Sequence, residues 1–315
     1  MSRRTRIRTT PPAGLVLDDR DVIHEYKDRK VWLTPRGIVK RTYADAGSSE
    51  IASHHFLAEW CPTIPIPRIL DEWESRYGDH SFTMMSTIRG VSLTRAWRRL
   101  SDTQRGRIAT KVAEHLRTLR RFGSSRMRSV SGKPLRNNCF VPVVNHHHQT
   151  HLWTSDNQVF DEAFRPVLES SGVSPNRIEL IRRTMPPCMG QFALYHGDLY
   201  TGNIMVDPEQ GKLTGIIDWE FLGYWPLWFH YARLGFEVND DDGRWKRILS
   251  GLLKNEIPHA LQGRVWWHAM EKIIDHPTSK TARVWFELLD DYLAGYDIPV
   301  SLEHYQLLRS RDGQY

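Results

Sequence analysis

Apolar residues change their spacing along this chain. Up to about Ile88 they form short stretches bounded by turn residues, such as Gly37–Arg41 and Ser81–Ile88, which is typical of β-strands. After Leu100 they recur every three or four positions, which is typical of amphipathic helices. In Leu100–Leu119 the recurring positions are Ile108, Val112, Leu116 and Leu119. The pattern predicts an α+β protein with a strand-rich N-terminal region and a mostly helical C-terminal region.

The same helical spacing predicts several further helices. In the C-terminal region we expect them over Asp156–Leu168, Pro175–Arg183, Gly243–Leu253, His259–Asp275 and Thr281–Tyr296. In the N-terminal region a single helix is expected over Ser48–Trp60, because its first serines suit the N-terminal cap. Glu50 would then lie in the first turn, where the helix dipole favours a negative charge.

A predicted hairpin brings polar residues together. Asn203–Val206 and Lys212–Asp218 are alternating or apolar stretches, and Asp207–Gly211 between them is rich in turn residues. Pairing of the two strands would return Asp218 to the neighbourhood of Asn203. An exposed polar loop from His196 to Gly202 is expected directly before the hairpin.

Three polar side chains of this loop and hairpin match the needs of phosphoryl transfer. That reaction requires a carboxylate near the attacking hydroxyl and oxygen ligands that hold magnesium against the phosphates. Asp198 can provide the first, and Asn203 and Asp218 the second. For the loop or the hairpin alone, ordinary turn chemistry is the better explanation, because Asp and Asn favour loops. The two combined favour the functional interpretation.

These motifs also carry a resemblance to a known family. The segments HGDLYTGNIM, over His196–Met205, and LTGIIDWEFLGYWP, over Leu213–Pro226, resemble the aminoglycoside phosphotransferase-like, or phosphotransferase enzyme, family, and in particular its members in filamentous fungi. The resemblance extends from about Arg29 to about Ala232. It implies the two-lobe fold of protein kinases, with a small β-rich N-lobe over residues 21–88 and a larger helical C-lobe over residues 89–315. It also implies an ATP-dependent O-phosphotransferase acting on a small hydroxylated molecule.

The resemblance assigns a role to each candidate residue. It makes Asp198 the catalytic base, and it makes Asn203 and Asp218 the ligands of Mg²⁺. Lys40 would contact the α- and β-phosphates of ATP and pair with Glu50 on the next helix. Taken alone, Lys40 is more commonly explained as an exposed surface lysine. The order of the motifs, which is that of the family, favours the functional role.

The resemblance also implies where adenine binds. Met85 would lie behind the base, and the backbone of Ser86 and Ile88 would form its hydrogen bonds. A methionine at such a position is more often core filling, so this assignment depends on the order of the motifs. The preceding segment Cys61–Leu70 contains three prolines, which favour extended chain.

One element of the kinase-like pattern is missing from this chain. No Gly-rich phosphate loop is present, and we take the turn Leu33–Gly37 as its counterpart. The amides of Gly37 and the side chain of Arg36 could hold the phosphates there, or Lys40 and Mg²⁺ could do so alone. The missing loop keeps an alternative open, namely a pseudokinase-like binding or scaffolding module with weak or no turnover.

The net charge of +6 lies mainly in the N-terminal segment. Four of the 43 Lys and Arg residues are among the first ten positions, where there is no acidic residue. The rest of the chain is nearly balanced, which argues against a surface that binds the nucleic-acid backbone. We expect residues 1–20 to be a basic, disordered arm. A mitochondrial targeting segment is the minor alternative.

Composition also bears on the compartment. No apolar run reaches the roughly 18 residues of a transmembrane helix, and we expect no secretory signal and no contact with a membrane. Three scattered cysteines suit neither a disulfide framework nor a zinc site. We therefore expect a cytoplasmic protein.

Two polar clusters have simpler explanations than a site. The run His146–His148 with His151 could bind a metal ion, but no cysteine or carboxylate close in sequence completes a ligand set, so a solvated loop is favoured. Polycationic aminoglycosides would need an acidic cleft. The acidic cluster Asp240–Asp242 is better explained as a solvated loop that caps the following helix, so we name no antibiotic as substrate.

Overall fold

The computed structural model describes residues 8–26, 29–135, 140, 152–188 and 192–295. These residues form two compact units. The first unit comprises the described residues up to Leu119 together with Ser129–Gly132 and His196–Leu222. The second comprises Arg120–Arg128, the described residues of 133–195, and those from Gly223 onward. The run His146–His148 lies outside the described residues.

The strands are concentrated toward the N-terminus and the helices toward the C-terminus. The strands are β1 Val22–Tyr26, β2 Arg29–Thr34, β3 Gly37–Tyr43, β4 Ile69–Glu74, β5 His80–Met85, β6 Val91–Ser92, β7 Gly123–Ser124, β8 Arg128–Ser129, β9 Phe192–Tyr195, β10 Ile204–Asp207, β11 Lys212–Ile216 and β12 Gly223–Pro226. The helices are α1 Ala44–Trp60, α2 Leu93–Ala96, α3 Asp102–Arg120, α4 Asp156–Val159, α5 Arg165–Ser170, α6 Pro175–Thr184, α7 Leu227–Ala232, α8 Asp240–Leu253, α9 Ala260–Asp275 and α10 Lys280–Leu293.

The first unit is built on a five-stranded antiparallel sheet with the order β1-β2-β3-β5-β4. Its core is a cluster of four buried side chains, Trp32, Val39, Trp73 and Met84. Strands β3 and β5 approach closely at Gly37, whose φ is +143°. A Cβ at Gly37 would lie 2.2 Å from the carbonyl oxygen of Met85, so only glycine fits.

The N-terminal arm is attached to this sheet from Arg8 onward, which differs from the disordered segment expected over residues 1–20. The carbonyl of Arg8 accepts a hydrogen bond of 2.8 Å from the amide of Glu74, and its guanidinium pairs with Asp71. Leu15 and Leu17 pack against the core cluster. The arm is held because it buries apolar side chains as well as carrying charge.

Helix α1 begins earlier than the sequence indicates. It starts at Ala44, directly after β3, and not at Ser48. Glu50 therefore lies about two turns into the helix, and the expected stabilisation by the helix dipole is wrong. The sequence does not mark the start because the strand passes into the helix without a side-chain cap at Tyr43.

A second sheet of the first unit has the order β11-β10-β6. The pairing of Ile204 with Ile216 and of Asp207 with Lys212 confirms the predicted hairpin. The amide of Ile217 also donates a hydrogen bond of 3.0 Å to the carbonyl of Asn203. The residue before Asp218 is thus tied directly to Asn203.

The second unit combines a small sheet of order β7-β9-β12-β8 with the helices from α4 onward. Its core is aromatic, with ring centroids of neighbouring side chains 4.8–6.2 Å apart. The members are Phe140, Phe164, Trp225, Trp228, Phe229, Trp266 and Trp267. The indole nitrogens of Trp266 and Trp267 donate to backbone carbonyls, so their polar atoms are satisfied in the core.

The predicted helices of this unit are present with shifted ends. The one expected over Asp156–Leu168 is interrupted by a π-helical turn at Phe160–Phe164. Pro166 in the next turn has no N–H to donate, which explains why regular α-helix stops there. Helix α8 starts at Asp240 because Asn239 caps it by accepting from the amide of Asp242. No helix among the described residues is long and apolar enough to cross a membrane.

Candidate active site

His196 holds the polar loop against the hairpin. It is fully buried, and Nε2 lies 3.0 Å from the carbonyl oxygen of Ile217. Nδ1 lies 3.2 Å from the amide nitrogen of Asp198. A neutral imidazole with its proton on Nε2 satisfies both contacts, donating to Ile217 and accepting from Asp198. Burial lowers the pKa of His196, which favours this neutral form.

Asp198 and Asn203 lie at the two ends of the same loop and contact each other. The side-chain amide nitrogen of Asn203, Nδ2, donates a hydrogen bond of 2.8 Å to the backbone carbonyl oxygen of Asp198. It also lies 3.5 Å from the carboxylate of Asp198. The amide group of Asn203 is therefore oriented, with Oδ1 as the atom suited to bind a cation. Asn203 is buried, whereas Asp198 is half-buried, so part of it is exposed to solvent.

Gly197 and Asp218 both adopt backbone conformations with a positive φ. Gly197 has a φ of +87°, and a Cβ there would lie 2.6 Å from Cβ of Phe221. Asp218 itself adopts the left-handed conformation, with φ 64° and ψ 61°. For a residue other than glycine this conformation costs on the order of 1–2 kcal/mol. Such strain is typical of functional positions.

Lys40 is the centre of a buried charge cluster. Its Nζ lies 2.6 Å from Oδ1 of Asp218, 2.9 Å from Oε2 of Glu50 and 3.4 Å from Oε2 of Glu220. The structure thus brings together the lysine, the helix glutamate and the hairpin aspartate that the sequence suggests. Helix α1 packs against the turn Trp219–Phe221, which is why Glu50 meets residues of the hairpin.

The pKa values in this cluster move in different directions. Burial alone would lower the pKa of Lys40, but the carboxylates of Asp218, Glu50 and Glu220 outweigh it and raise that pKa. Burial raises the pKa of Glu50, and it raises the pKa of Glu220 to about 7, with Lys40 opposing in both cases. At Asp218 burial is outweighed chiefly by Lys40, and the pKa is lowered.

The cluster contains more negative than positive groups. Glu50, Asp218 and Glu220 each have a carboxylate oxygen within 4.8 Å of the others. They face the ammonium of Lys40 and the guanidinium of Arg29, whose Nη1 lies 2.5 Å from Oε1 of Glu220. A bound divalent cation would supply the missing positive charge. Carboxylate and amide oxygens are the ligands that Mg²⁺ prefers, so Asp218 and Asn203 fit it chemically.

The residues proposed to bind adenine lie at the end of β5 and just beyond it. Met85 is buried and is paired with Ile38 and Ile69 on the neighbouring strands. Ser86 donates its amide hydrogen to the carbonyl of Arg68 at 2.9 Å. A hydrogen bond from Ser86 to a base would therefore involve its carbonyl oxygen.

The comparison with known families identifies this arrangement. A sequence model of the phosphotransferase enzyme family matches residues 24–262, which is most of the chain. The chain belongs to the phosphotransferase enzyme family. This confirms the resemblance and the expected class of enzyme, a phosphotransferase with an alcohol group as acceptor. A search among curated proteins found no match.

Solved structures of aminoglycoside phosphotransferases share the fold. A thermostable mutant of APH(4)-Ia, in a ternary complex with AMP-PNP and hygromycin B, aligns with a TM-score of 0.53 at 14% identity, covering 87% of this chain and 94% of its own. APH(2'')-Ib, ADP-bound, aligns with a TM-score of 0.51 at 13% identity, covering 90% and 93%. These similarities confirm the two-lobe, kinase-like α+β fold.

The fold of this phosphotransferase corrects the position of the phosphate loop. In a kinase-like lobe the loop that covers the phosphates joins the first two strands, and the lysine lies on the third. Lys40 lies on β3, so the corresponding connection is Lys27–Asp28 between β1 and β2. Those two residues lie outside the described ranges. The turn Leu33–Gly37 joins β2 to β3, and Arg36 there donates to the carbonyl of Ala13 at 3.2 Å.

Sequence reasoning missed two residues of the site, Glu220 and Arg29. A signal existed for Glu220, because it is a charged residue within the otherwise apolar stretch that follows Asp218. Arg29 carries no comparable signal, since arginine is common at the ends of strands. The acidic cluster Asp240–Asp242 belongs to the start of α8, where buried Asp242 pairs with Lys246 at 2.9 Å.

Proposed function

We propose that this protein transfers a phosphoryl group from ATP to a hydroxyl of a small molecule, with Mg²⁺ bound at Asn203 and Asp218. The observation that carries the proposal is the position of Lys40, with Asp218 at 2.6 Å and Glu50 at 2.9 Å. A lysine paired in this way is oriented to contact phosphates, and in protein kinases the Lys–Glu ion pair is required for activity.

Each residue has a defined task under this proposal. Asp198 accepts the proton of the acceptor hydroxyl, because it is the accessible carboxylate of the loop. Its position is fixed by the hydrogen bonds to His196 and Asn203. Lys40, held by Glu50, orients the phosphates. Asn203 and Asp218 would hold Mg²⁺, which would supply positive charge to offset the charge that develops on the phosphates.

The nucleotide base would lie beside the end of β5. We propose that Met85 forms the apolar surface behind adenine. The carbonyl of Ser86 would accept a hydrogen bond from the amino group of adenine, and the amide of Ile88 would donate one to a ring nitrogen. For the whole chain we keep the proposed division into an arm over residues 1–20, an N-lobe over 21–88 and a C-lobe over 89–315.

The acceptor is proposed only by class. Solved structures with this fold include complexes with hygromycin B and with streptomycin, which are polyhydroxylated molecules. The acidic groups at Asp240–Asp242 do not favour a polycation, because Asp242 is neutralised by Lys246. We therefore propose a small hydroxylated acceptor of unspecified charge.

A pseudokinase without turnover is the alternative. The complete set of Asp198, Asn203, Asp218, Lys40 and Glu50 favours the enzyme, because a binding module has no need to retain a proton acceptor.

Thermal stabilisation by ATP, with and without Mg²⁺, tests the proposal, with Asp218→Asn as the control. Nucleotide at about 100 times its dissociation constant should add about 2.7 kcal/mol to stability. A shift that needs Mg²⁺ and is lost in Asp218→Asn supports the proposed site. No shift in the wild-type protein would contradict it. ADP release on a panel of hydroxylated acceptors, lost in Asp198→Ala, then separates enzyme from pseudokinase.

A further inference from the structure

Arg29 lies where a phosphate loop would end. It is the first residue of β2, and only two residues separate this strand from β1. So short a connection offers few backbone amides to surround phosphates, unlike a Gly-rich loop. Another source of positive charge is needed at this place if the nucleotide is to be held firmly. Arg29 is a positively charged residue in the described part of the chain, directly after the connection between β1 and β2.

The side chain of Arg29 is directed toward the charge cluster. Its guanidinium lies 2.5 Å from Glu220 and 6.0 Å from the centroid of the Phe221 ring. The Arg29 side chain is 34% exposed, whereas that of Glu220 is 2% exposed. Arg29 is therefore fixed at one end by a buried carboxylate while remaining accessible to a ligand.

Glu220 connects Arg29 with Lys40. Its two carboxylate oxygens contact different cations, Oε1 the guanidinium of Arg29 and Oε2 the ammonium of Lys40 at 3.4 Å. Lys40 in turn contacts Asp218, a proposed ligand of Mg²⁺. Both cations thus lie beside Asp218, where the proposed function would bring the phosphates and Mg²⁺ together.

We propose that Arg29 is a second phosphate-binding cation, and that Glu220 is the positioning residue that holds it beside Lys40. The inference rests on the proposed function, since it requires a nucleotide at Lys40. Arg29 replaces the missing Gly-rich loop. A guanidinium suits this task, because its planar fork can donate two hydrogen bonds to one phosphate group.

A purely structural role for the Arg29–Glu220 pair makes a different prediction. In that case loss of Arg29 would disturb the cluster and weaken every ligand alike. A phosphate-binding role instead affects ATP and spares adenosine, which has no phosphate. The ratio of the two affinities therefore separates the two roles.

Isothermal titration with ATP and with adenosine, at constant Mg²⁺, measures this ratio in the wild type and in Arg29→Gln. Arg36→Gln is the matched control, because it removes the same charge from another turn of the same sheet, the one between β2 and β3. We expect Arg29→Gln to weaken ATP about tenfold or more, equivalent to about 1.4 kcal/mol, and adenosine less than about twofold. Arg36→Gln should change neither. Arg29→Lys keeps the positive charge but loses the planar guanidinium. Its affinity for ATP should lie between those of the wild type and Arg29→Gln.

In Arg29→Gln the buried carboxylate of Glu220 loses its partner, and this change could itself weaken ATP binding. The double variant Arg29→Gln/Glu220→Gln removes that carboxylate and so tests for the indirect effect. The ATP-specific loss should persist in it. Recovery of ATP affinity in the double variant, equal losses for ATP and adenosine, or no loss in Arg29→Gln would each overturn the inference. A wild-type protein that binds neither ligand would instead contradict the proposed function itself.

Discussion

Replacing Lys40 by methionine should destabilise the protein although methionine fills a similar space. Lys40 is buried and faces three carboxylates, those of Glu50, Asp218 and Glu220. At an effective dielectric constant of about 20, one such pair at about 4 Å interacts by about 4 kcal/mol. The cost of burying the charges offsets some of this. Removing one partner of a buried ion pair typically costs about 3–5 kcal/mol, because the remaining charge is left unbalanced.

The chain offers a matched control in Lys246. Its side chain is 3% exposed, against 9% for Lys40, and it pairs with buried Asp242 at 2.9 Å, outside the cluster around Lys40. Lys246→Met should therefore also be destabilising. The two variants should differ in their response to Mg²⁺. Lys40→Met leaves three carboxylates close together, which a divalent cation can neutralise, whereas Asp242, the partner of Lys246, belongs to no such cluster in the described part of the chain.

Thermal unfolding with and without millimolar Mg²⁺ is the assay. At about 2–4 °C per kcal/mol, Lys40→Met should lower the Tm by on the order of 10 °C, and Mg²⁺ should restore some of this loss. Lys246→Met should also lower the Tm, but Mg²⁺ should not restore it. A Lys40→Met protein as stable as the wild type would refute the reasoning, because the carboxylates would then tolerate each other without a cation. Equal recovery of both variants would refute the role given to the cluster.

Three further predictions follow from single positions. Asp198→Asn should lower kcat by about 10²–10⁴-fold while leaving the ATP affinity within about twofold, measured by turnover and calorimetry. Burial lowers the pKa of His54 to about 4. As the pH falls below about 6.5, the imidazole is protonated in the unfolded chain but stays neutral in the folded protein, so the stability decreases until about pH 4. In denaturant unfolding, His54→Asn should therefore lose up to about 3 kcal/mol less stability than the wild type over that pH range. Gly37→Ala should cost a few kcal/mol, because its Cβ would strike the carbonyl of Met85, whereas Gly106→Ala in helix α3, with open space around it, should be neutral or stabilising.

The hairpin could be predicted because its evidence is local. Alternating residues and a turn rich in Asp, Pro and Gly are enough to define the pairing that brings Asp218 back to Asn203. The contact between Lys40 and Glu50 is also expected, but only from the order of motifs in the family. Nothing in the sequence near Lys40 indicates that it is buried.

The missed features depend on contacts between distant segments. The start of α1 could not be placed because the chain passes from strand to helix without a capping side chain. The sequence points to the wrong turn for the phosphate loop because, without glycines, only the number of strands before Lys40 identifies it. Arg29 and Glu220 meet only once the sheet and the hairpin have both formed, so neither segment alone could indicate their pairing.

The left-handed backbone of Asp218 connects these observations. A regular continuation of β11 would keep the side chains of Asp218 and Glu220 on one face of the sheet but roughly 7 Å apart. Because the chain turns at Asp218 instead, both Asp218 and Glu220 contact the ammonium of Lys40. The strain at Asp218 thus gathers acidic groups that repel one another, at a cost in stability. Such an arrangement is expected where a protein binds cations and phosphates, and it has no advantage in a core that serves only to fold.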